Sequence, residues 1–205
     1  MARSRSSDQW LKEHFADEYV KAARRQGYRS RAAFKLLEIQ EKDKLIKPGM
    51  LVVDIGAAPG SWSQIAAKIV TNAGKVVALD ILPMEKIAGV ECIEGDFREE
   101  DALTRLNKVL AGQPADLVIS DIAPNTGGNS GVDQPRVMYL VELVLDFTKQ
   151  HLRRRGSFLV KIFHGVGFTE YYQTMQSVFA TVLTRKPKSS RSRSREVYLL
   201  GLNKR

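Results

Sequence analysis

Cysteine and histidine are scarce in this chain, which has one cysteine, Cys92, and three histidines. One cysteine cannot build a disulfide framework or a cysteine-based zinc cluster, and the histidines are too far apart for the spacing of metal ligands. No stretch approaches the roughly 20 apolar residues of a membrane span, and the N-terminus MARSRSSDQW lacks the apolar core of a signal peptide. We therefore expect a cytoplasmic protein with neither a metal nor a membrane contact.

Length and composition predict one globular domain. The chain has 205 residues, of which 43% are hydrophobic, which is enough for one core and too few for two large domains. We expect a single domain over residues 1–205, in which a basic helical extension at 1–45 precedes a core at 46–205. We also expect this domain to act as a monomer.

The net charge of +9 is concentrated at the two ends of the chain. Residues 1–35 hold nine Lys or Arg and four Asp or Glu, and residues 185–205 hold eight and one, so the middle of the chain carries −3. Two basic ends on an acidic body suit a polyanionic partner such as nucleic acid. Charge alone is equally consistent with solvated tails.

From residue 50 onward, short β-branched runs alternate with longer amphipathic segments. This alternation is typical of a parallel sheet covered by helices on both faces. The last two runs flank a basic loop at 186–194 and predict an antiparallel hairpin at a sheet edge. The predicted fold is α/β and Rossmann-like, with a mostly parallel seven-stranded sheet. The predicted strands are 50–54, 75–80, 91–94, 116–120, 157–162, 181–186 and 195–202, and the predicted helices are 8–25, 30–40, 62–70, 98–111, 134–154 and 168–179.

The stretch 53–62, VDIGAAPGSW, ends the first predicted strand and contains a glycine-rich turn. A nicotinamide-binding turn has the pattern G-x-G-x-x-G, but only Gly56 and Gly60 are present, and the middle glycine that admits a pyrophosphate is missing. No Lys-Ser/Thr pair follows Gly60, so a phosphate-binding loop is absent as well. The pattern favours a ligand that contains a nucleoside without a pyrophosphate, and S-adenosylmethionine meets that description.

Aspartates follow four predicted strands, at the edge where open α/β sheets hold their ligands. Asp80 is placed to bind ribose hydroxyls, Asp96 to bind the adenine amino group, and Asp121 to face the positive sulfonium of the donor. Asp54 is the fourth, and it can serve mainly to order the glycine turn. We expect these carboxylates to surround the donor.

The turn itself and the residue after it complete the predicted donor pocket. Gly56 and Gly60 would let the backbone approach the ligand closely. Trp62 begins the next predicted helix, where it would pack near the methionyl end of the donor or serve only in the core. Both interpretations of Trp62 stay open.

The fourth-strand motif at 120–125, SDIAPN, bears on the methyl acceptor. It lacks the Asn/Asp-Pro-Pro-aromatic sequence with which amino-methylating enzymes hold an exocyclic amine. The single cysteine lies in a predicted strand and argues against covalent attack on a pyrimidine carbon. A hydroxyl acceptor remains.

Five segments together make the chain resemble the FtsJ-type, or RlmE, family of ribosomal RNA large-subunit 2'-O-methyltransferases. The resemblance covers nearly the whole sequence and implies a class I S-adenosylmethionine-dependent methyltransferase fold. The family has a Lys-Asp-Lys-Glu tetrad, whose residue types fall on Lys35, Asp121, Lys161 and Glu196. Departures at Ser61 and His164, where the family commonly has glycine and glutamine, do not touch the tetrad. The matching segments are SRAAFKL at 30–36, DIGAAPG at 54–60, DIAPN at 121–125, KIF at 161–163 and SREVY at 194–198.

The tetrad has a chemical rationale. A ribose hydroxyl is a weak nucleophile at neutral pH, so its proton must be removed or its developing negative charge stabilised. The resemblance implies that Lys161 is the general base or the group that orients the hydroxyl, and that Lys35, Asp121 and Glu196 position it. Judged without the resemblance, a lysine reaching into solvent and a surface ion pair of Glu196 are the simpler interpretations.

An acceptor that is a 2'-hydroxyl means RNA rather than DNA. The resemblance implies a uridine in the A-loop of large-subunit ribosomal RNA, methylated in an assembled or nearly assembled subunit. Two other classes remain open, namely an RNA-binding or ribosome-assembly module without catalysis and a nucleotide-dependent oxidoreductase. The candidates for phosphate contacts are Arg24, Arg25, Arg29, Arg31, Arg191, Arg193 and Arg195.

Overall fold

The computed structural model describes residues 17–124, 130–191 and 194–205. In this part of the chain, helices and strands alternate from the first strand onward. The helices are α1 (Glu18–Arg25), α2 (Ala32–Asp43), α3 (Ser61–Val70), α4 (Glu100–Leu110), α5 (Ser130–His151) and α6 (Phe168–Val178), with a short 3-10 turn at Thr71–Ala73. The strands are β1 (Leu51–Ile55), β2 (Lys75–Asp80), β3 (Val90–Glu94), β4 (Ala115–Ser120), β5 (Leu152–Phe163), β6 (Phe179–Arg185) and β7 (Glu196–Lys204).

The seven strands form one sheet in the order β3-β2-β1-β4-β5-β7-β6. Strands β1 to β5 are parallel, and β7 runs antiparallel to both of its neighbours, β5 and β6. The predicted fold class, a mostly parallel seven-stranded sheet with an antiparallel C-terminal pair, is confirmed. The last strand is not at the edge, however, because β7 lies between β5 and β6.

The sheet is buried on both faces. One face packs against α4, α5 and α6 through residues such as Leu106, Val141 and Met175. The other face packs against α2 and α3, where Leu36 and Ile65 contact the sheet. Helix α2, which falls in the predicted N-terminal extension, therefore shares a core with the sheet.

The predicted helix over 134–154 was wrong at its C-terminal end. Helix α5 ends at His151, and β5 begins at Leu152. Lys204, from the end of β7, donates from Nζ to the carbonyl oxygen of Leu152 at 2.6 Å and so binds the chain where the helix stops. This partner is 52 residues away in the sequence, which is why helical periodicity alone overran the boundary.

The first predicted helix, 8–25, lies only partly in the described chain, where α1 begins at Glu18. In the part of the chain that the structure describes, no helix is long and apolar enough to cross a bilayer. Over the same residues, no cluster of three or more His, Cys, Asp or Glu could hold a metal ion.

Candidate active site

The strand order reverses between β1 and β4, and the candidate site lies at the carboxyl ends of these two strands. Crevices at such a reversal are where open α/β sheets bind ligands. The glycine turn follows β1, and Asp121 follows β4 directly. The fold therefore brings together the two segments that carry most of the predicted site.

Both glycines of the turn are required by the protein's own packing. Gly56 has a φ of 73°, and a Cβ there would lie 2.6 Å from the Cβ of Ile122. Gly60 has a φ of 99°, and a Cβ there would lie 2.6 Å from the Cδ1 of Ile87. A side chain at either position would be strained and would collide with a neighbour, so the glycines bring β4 and the loop after β2 close to the turn.

Asp80 orders the same turn. Its Oδ2 accepts the N–H of Ala58 at 2.8 Å, and its Oδ1 accepts the N–H of Leu82 at 2.8 Å. Each carboxylate oxygen has a further lone pair, so Asp80 retains acceptor capacity at the edge of the sheet. Asp80 therefore combines a structural role with the placement that its predicted ribose contact needs.

Asp54 is a buried carboxyl at the base of the site. Ser63 donates to its Oδ2 at 2.5 Å, and within the described residues its Oδ1 has no hydrogen-bond partner. Burial, reinforced by the nearby carboxylates of Asp121 and Asp80, raises the pKa of Asp54 to about 7. An unpaired buried acceptor of this kind favours a ligand with a positive charge or an N–H donor.

An open cleft lies between the glycine turn, Asp54 and Asp121. Its walls include Asp54, residues 56–59 of the turn, Ser61, Trp62 and Asp121. Trp62 is otherwise buried, and its indole N–H donates to the carbonyl oxygen of Ala32 at 2.9 Å. Trp62 thus packs in the core and also lines the cleft, and its contact with the methionyl end of the donor stays a prediction.

Asp96 follows β3 at the same edge but is paired with a neighbour. Arg98 donates from Nε to Oδ1 of Asp96 at 2.9 Å and from Nη2 to Oδ2 at 2.5 Å. These hydrogen bonds lower the pKa of Asp96 below its ordinary value. A contact between Asp96 and an adenine would have to coexist with this pair or displace it.

The four residues of the tetrad form two ion pairs. Lys161, near the end of β5, lies 3.0 Å through Nζ from Oδ1 of Asp121 and donates to the carbonyl oxygen of Asp121 at 2.5 Å. Lys35, on α2, lies 2.8 Å through Nζ from Oε1 of Glu196, the first residue of β7. Four segments that are distant in the sequence therefore meet beside the cleft.

Burial and the lysines set the charge of the two carboxylates. Burial by itself would raise the pKa of Asp121, but the ammonium groups of Lys161 and Lys35 outweigh it and hold that pKa below its ordinary value. Burial acts on Glu196 in the same direction and is outweighed by Lys35, so the pKa of Glu196 is lowered as well. Both carboxylates are charged at neutral pH.

Tyr198 joins the two ion pairs and was missed as a site residue by the sequence reasoning. Its hydroxyl donates to Oδ1 of Asp121 at 2.8 Å, and its ring lies 5.8 Å from Nζ of Lys35. Burial and the carboxylate of Asp121 raise the pKa of Tyr198 well above its ordinary value. Its place two residues after Glu196 was the available signal, because alternate residues of a strand face the same side of a sheet.

Helix α2 also holds the basic loop that precedes β7. Glu38 accepts the backbone N–H of Lys188 at 2.6 Å and that of Ser189 at 2.9 Å. Glu38 is three residues after Lys35 on the same helix, and side chains at this spacing are neighbours on the helix surface. The helix that carries Lys35 therefore also anchors the loop leading to Glu196. Sequence reasoning did not identify Glu38, since its partners are 150 residues away.

Arg29 and Arg31, both predicted to contact RNA, donate hydrogen bonds to other groups of the protein. Arg29 donates to the carbonyl oxygen of Pro59 at 3.0 Å and to two carbonyl oxygens of the loop after β2, so it fastens the glycine turn. Arg31 pairs with Asp17 and donates to the carbonyl oxygen of Ser189. Fewer of their N–H groups are left for phosphate than the sequence suggested.

Four of the other predicted RNA contacts lie in the described residues. Arg24 and Arg25 are exposed in the last turn of α1, Arg195 is exposed, and Arg191 is half-buried. Arg193 lies outside the described residues. Burial and the neighbouring Arg191 cation lower the pKa of Arg31, so the structure brings the two predicted basic segments together beside the tetrad.

The chain is similar to several known proteins. The family model described as FtsJ-like methyltransferase matches residues 28–204. A protein of Neisseria gonorrhoeae named ribosomal RNA large subunit methyltransferase E is 59% identical over 203 residues, which are 99% of this chain and 98% of that protein. A protein of the same name from Methylobacillus flagellatus is 58% identical over 205 residues, covering 100% and 99% of the two chains.

A solved structure is also similar. It is a crystal structure from Plasmodium falciparum, described as a ribosomal RNA methyltransferase, with a TM-score of 0.77 and 30% identity. The alignment covers 86% of this chain and 98% of that one. Fold and site define an α/β enzyme that transfers a methyl group from a methyl donor, and the chain belongs to the FtsJ-like methyltransferase family.

Proposed function

We propose that this protein methylates the 2'-hydroxyl of a ribose in large-subunit ribosomal RNA, with S-adenosylmethionine as the methyl donor. The observation that carries the proposal is the meeting of the Lys161–Asp121 and Lys35–Glu196 pairs beside the glycine turn. The names of the relatives support ribosomal RNA of the large subunit as the substrate class. The family resemblance narrows the acceptor to a uridine in the A-loop of an assembled subunit.

The residues of the cleft fit the proposed donor. S-adenosylmethionine supplies a methyl group activated by a positively charged sulfonium. Asp80 would bind its ribose hydroxyls, Asp96 its adenine amino group, and the turn between Gly56 and Gly60, with Trp62, its methionyl portion. The carboxylate of Asp121 would face the positive charge, and the unpaired Oδ1 of Asp54 adds a second acceptor below it.

Lys161 is the residue proposed to act on the acceptor hydroxyl. The ammonium group of Lys161 has three N–H donors. Asp121 accepts two of them, one through its carbonyl oxygen and one through Oδ1. The third N–H remains for a ribose hydroxyl. A lysine held in this way orients the hydroxyl and stabilises the negative charge that develops on its oxygen, or accepts its proton if the amine is neutral.

Lys35 and Glu196 would position the acceptor next to Lys161. Each side chain of the pair is 12% exposed, so the pair is not fully enclosed by the protein. A ribose has several hydroxyl and ether oxygens that can bind an ammonium or a carboxylate. This second pair can therefore fix the ribose while the first acts on its 2'-oxygen, and both contribute by orientation.

The experiment is methyl transfer from labelled S-adenosylmethionine to purified large ribosomal subunits, extracted ribosomal RNA and DNA in parallel. We expect label on a ribose of large-subunit RNA, none on DNA, and a loss of at least about 100-fold in turnover for Lys161→Ala, typical of a removed acid-base or charge-stabilising group. Lys108→Ala, a change of the same type on the exposed side of α4, is the matched control and should keep full activity.

Three results would overturn parts of this proposal. Unchanged turnover in Lys161→Ala with intact donor binding would remove Lys161 from its role. Label on a base rather than a ribose would refute the 2'-hydroxyl as acceptor. Donor binding without label on any RNA would indicate a binding factor instead of an enzyme for this substrate.

A further inference from the structure

The start of β5 contains three consecutive arginines that the proposed mechanism does not use. In the pairing of β4 with β5, Ala115 lies opposite Leu152 and Leu117 lies opposite Ser157. One residue of β4 therefore faces four residues of β5, which is a pronounced bulge. The bulge consists of Arg153, Arg154, Arg155 and Gly156, and all three arginines are exposed.

The backbone of this bulge is under local constraint. Arg155 has a φ of 61°, in the left-handed region where a glycine is unstrained and a residue with a side chain is not. Gly156 has no room for a side chain, because a Cβ there would lie 2.7 Å from the side chain of Leu152 and 2.9 Å from the carbonyl oxygen of Arg153. An arginine stands at Arg155 although a glycine would fit the conformation better.

The three arginines differ in their partners. Arg153 lies 2.6 Å through Nε from Oδ1 of Asp116, and Oδ2 of Asp116 accepts the N–H of Leu51 at 2.7 Å, so Arg153 is tied to the sheet. Within the described residues, the side chains of Arg154 and Arg155 have neither a hydrogen bond nor an ion pair. Two guanidinium groups are therefore presented to solvent on a bulge that Arg153 holds in place.

The bulge lies at the end of the sheet opposite to the candidate active site. Strand β5 begins at Leu152, and Lys161 is close to its other end. Six residues separate Arg155 from Lys161, which corresponds to about 20 Å at roughly 3.3 Å per strand residue. A short RNA bound at the tetrad does not extend to this side of the protein, whereas a large folded RNA can.

We propose that Arg154 and Arg155 bind phosphates of the substrate RNA at a second contact, remote from the methyl-transfer site. The inference rests on the proposed function, because it assumes that the substrate is a large folded RNA. Guanidinium groups bind phosphate with two parallel N–H bonds, which makes arginine suited to such a contact. Contacts of this kind orient a nucleic acid without reading its sequence, so the bulge would help to select large RNA over short RNA.

The test compares Arg154→Gln, Arg155→Gly and the double variant with wild type in binding to extracted large-subunit ribosomal RNA. For each phosphate contact the binding constant falls with about the 0.9 power of the salt concentration on duplex DNA and with about the 0.7 power on single strands. Each variant should therefore bind about five- to tenfold more weakly near 0.1 M salt, and the double variant should reduce the salt slope by roughly two. Arg105→Gln is the matched control, because it also removes one positive charge from the surface. Arg105 is exposed and paired with Asp101.

Two further readouts separate binding from folding. Arg155→Gly relieves the left-handed strain, so its melting temperature should not fall below that of wild type even though its RNA affinity does. The KM for extracted ribosomal RNA should rise in the variants with kcat unchanged, whereas the kcat/KM for the shortest fragment that is still methylated should equal that of wild type.

The outcomes distinguish this inference from the function on which it rests. Wild-type affinity and salt slope in the double variant would overturn the second contact while leaving methyl transfer intact. An equal loss of kcat/KM on extracted ribosomal RNA and on the shortest fragment would mean that the substitutions act at the methyl-transfer site. That result would also overturn the second contact. If wild-type protein labels no ribosomal RNA, the proposed function itself fails.

Discussion

Replacing Tyr198 by phenylalanine tests whether this tyrosine holds the carboxylate of Asp121 in place. The change deletes one hydroxyl, which donates to Oδ1 of Asp121 at 2.8 Å in a buried setting. A hydrogen bond to a charged group contributes about 1.5–3 kcal/mol to the free energy of unfolding. For a protein of this length, roughly 2–4 °C per kcal/mol applies, so we expect the melting temperature to fall by about 3–12 °C.

Tyr171→Phe is the matched control. Its hydroxyl is also buried, but it donates to the neutral carbonyl oxygen of Val141 at 3.0 Å. A bond between neutral groups contributes about 1 kcal/mol, so Tyr171→Phe should be destabilised less than Tyr198→Phe. Thermal and urea unfolding of both variants would measure the two losses side by side.

The pH dependence of this effect follows from the direction of the pKa shift. Folding lowers the pKa of Asp121 below its ordinary value of 3.8. The charged carboxylate therefore stabilises the folded protein at a pH above 3.8, and this stabilisation is lost as the pH falls through the pKa of the folded state. Because Tyr198 donates to the charged form, the difference between wild type and Tyr198→Phe should be constant from about pH 5 to pH 8 and shrink only below about pH 4.

A double-mutant cycle with Asp121→Asn gives the decisive result. If the tyrosine acts through the carboxylate, the loss caused by Tyr198→Phe should be smaller in the Asp121→Asn background by about 1 kcal/mol or more. An undiminished loss in that background would mean that the tyrosine stabilises the protein by packing alone, and the reasoning about the site would be refuted.

Three further predictions concern charged side chains that are bonded within the protein. Folding raises the pKa of Asp54 to about 7, so its contribution to stability should decline as the pH rises from about 4 to about 7; Asp54→Asn should flatten that part of a stability profile, and an unchanged slope would contradict the assignment. Asp43→Asn weakens the partly buried bidentate pair with Arg185 and should cost about 1.5–3 kcal/mol in urea unfolding, whereas a cost below about 1 kcal/mol would show that the pair is effectively solvated. Glu38→Gln weakens the anchor of the loop 186–191, so trypsin should cleave that loop faster and kcat should fall; equal cleavage rates would show that the loop is held by other contacts.

Parts of the fold were predictable because they depend on local order in the sequence. The alternation of β-branched runs with amphipathic segments placed six of the seven strands within two residues of their observed bounds at both ends. The start of β5 was the exception, because the arginines of its bulge have no strand-like period. The insertion of β7 between β5 and β6 also escaped prediction, since pairing order depends on contacts between strands rather than on the strands themselves.

The candidate site was likewise predictable from the sequence only in part. The carboxylates at strand ends could be located from the sequence, because parallel strands bring their carboxyl ends to one edge. The tetrad residues came from the family resemblance, and their physical pairing, Lys161 with Asp121 and Lys35 with Glu196, is visible only in three dimensions. The internal contacts of Arg29 and Arg31 were equally invisible, so these cations were expected to be more available to RNA than they are.

The sequence by itself determined the class of fold, the turn that begins the donor site and the chemical types available for catalysis, because periodicity, glycine placement and residue chemistry are properties of short segments. Only the tertiary structure decided which charges face each other, since ion pairs, burial and the resulting pKa shifts depend on distances between segments far apart in the chain. It also decided that Gly56 and Gly60 are required by their neighbours Ile122 and Ile87. Close packing lets only one arrangement of these segments exclude water and satisfy their polar groups, and that arrangement joins α2, β4, β5 and β7 into one site.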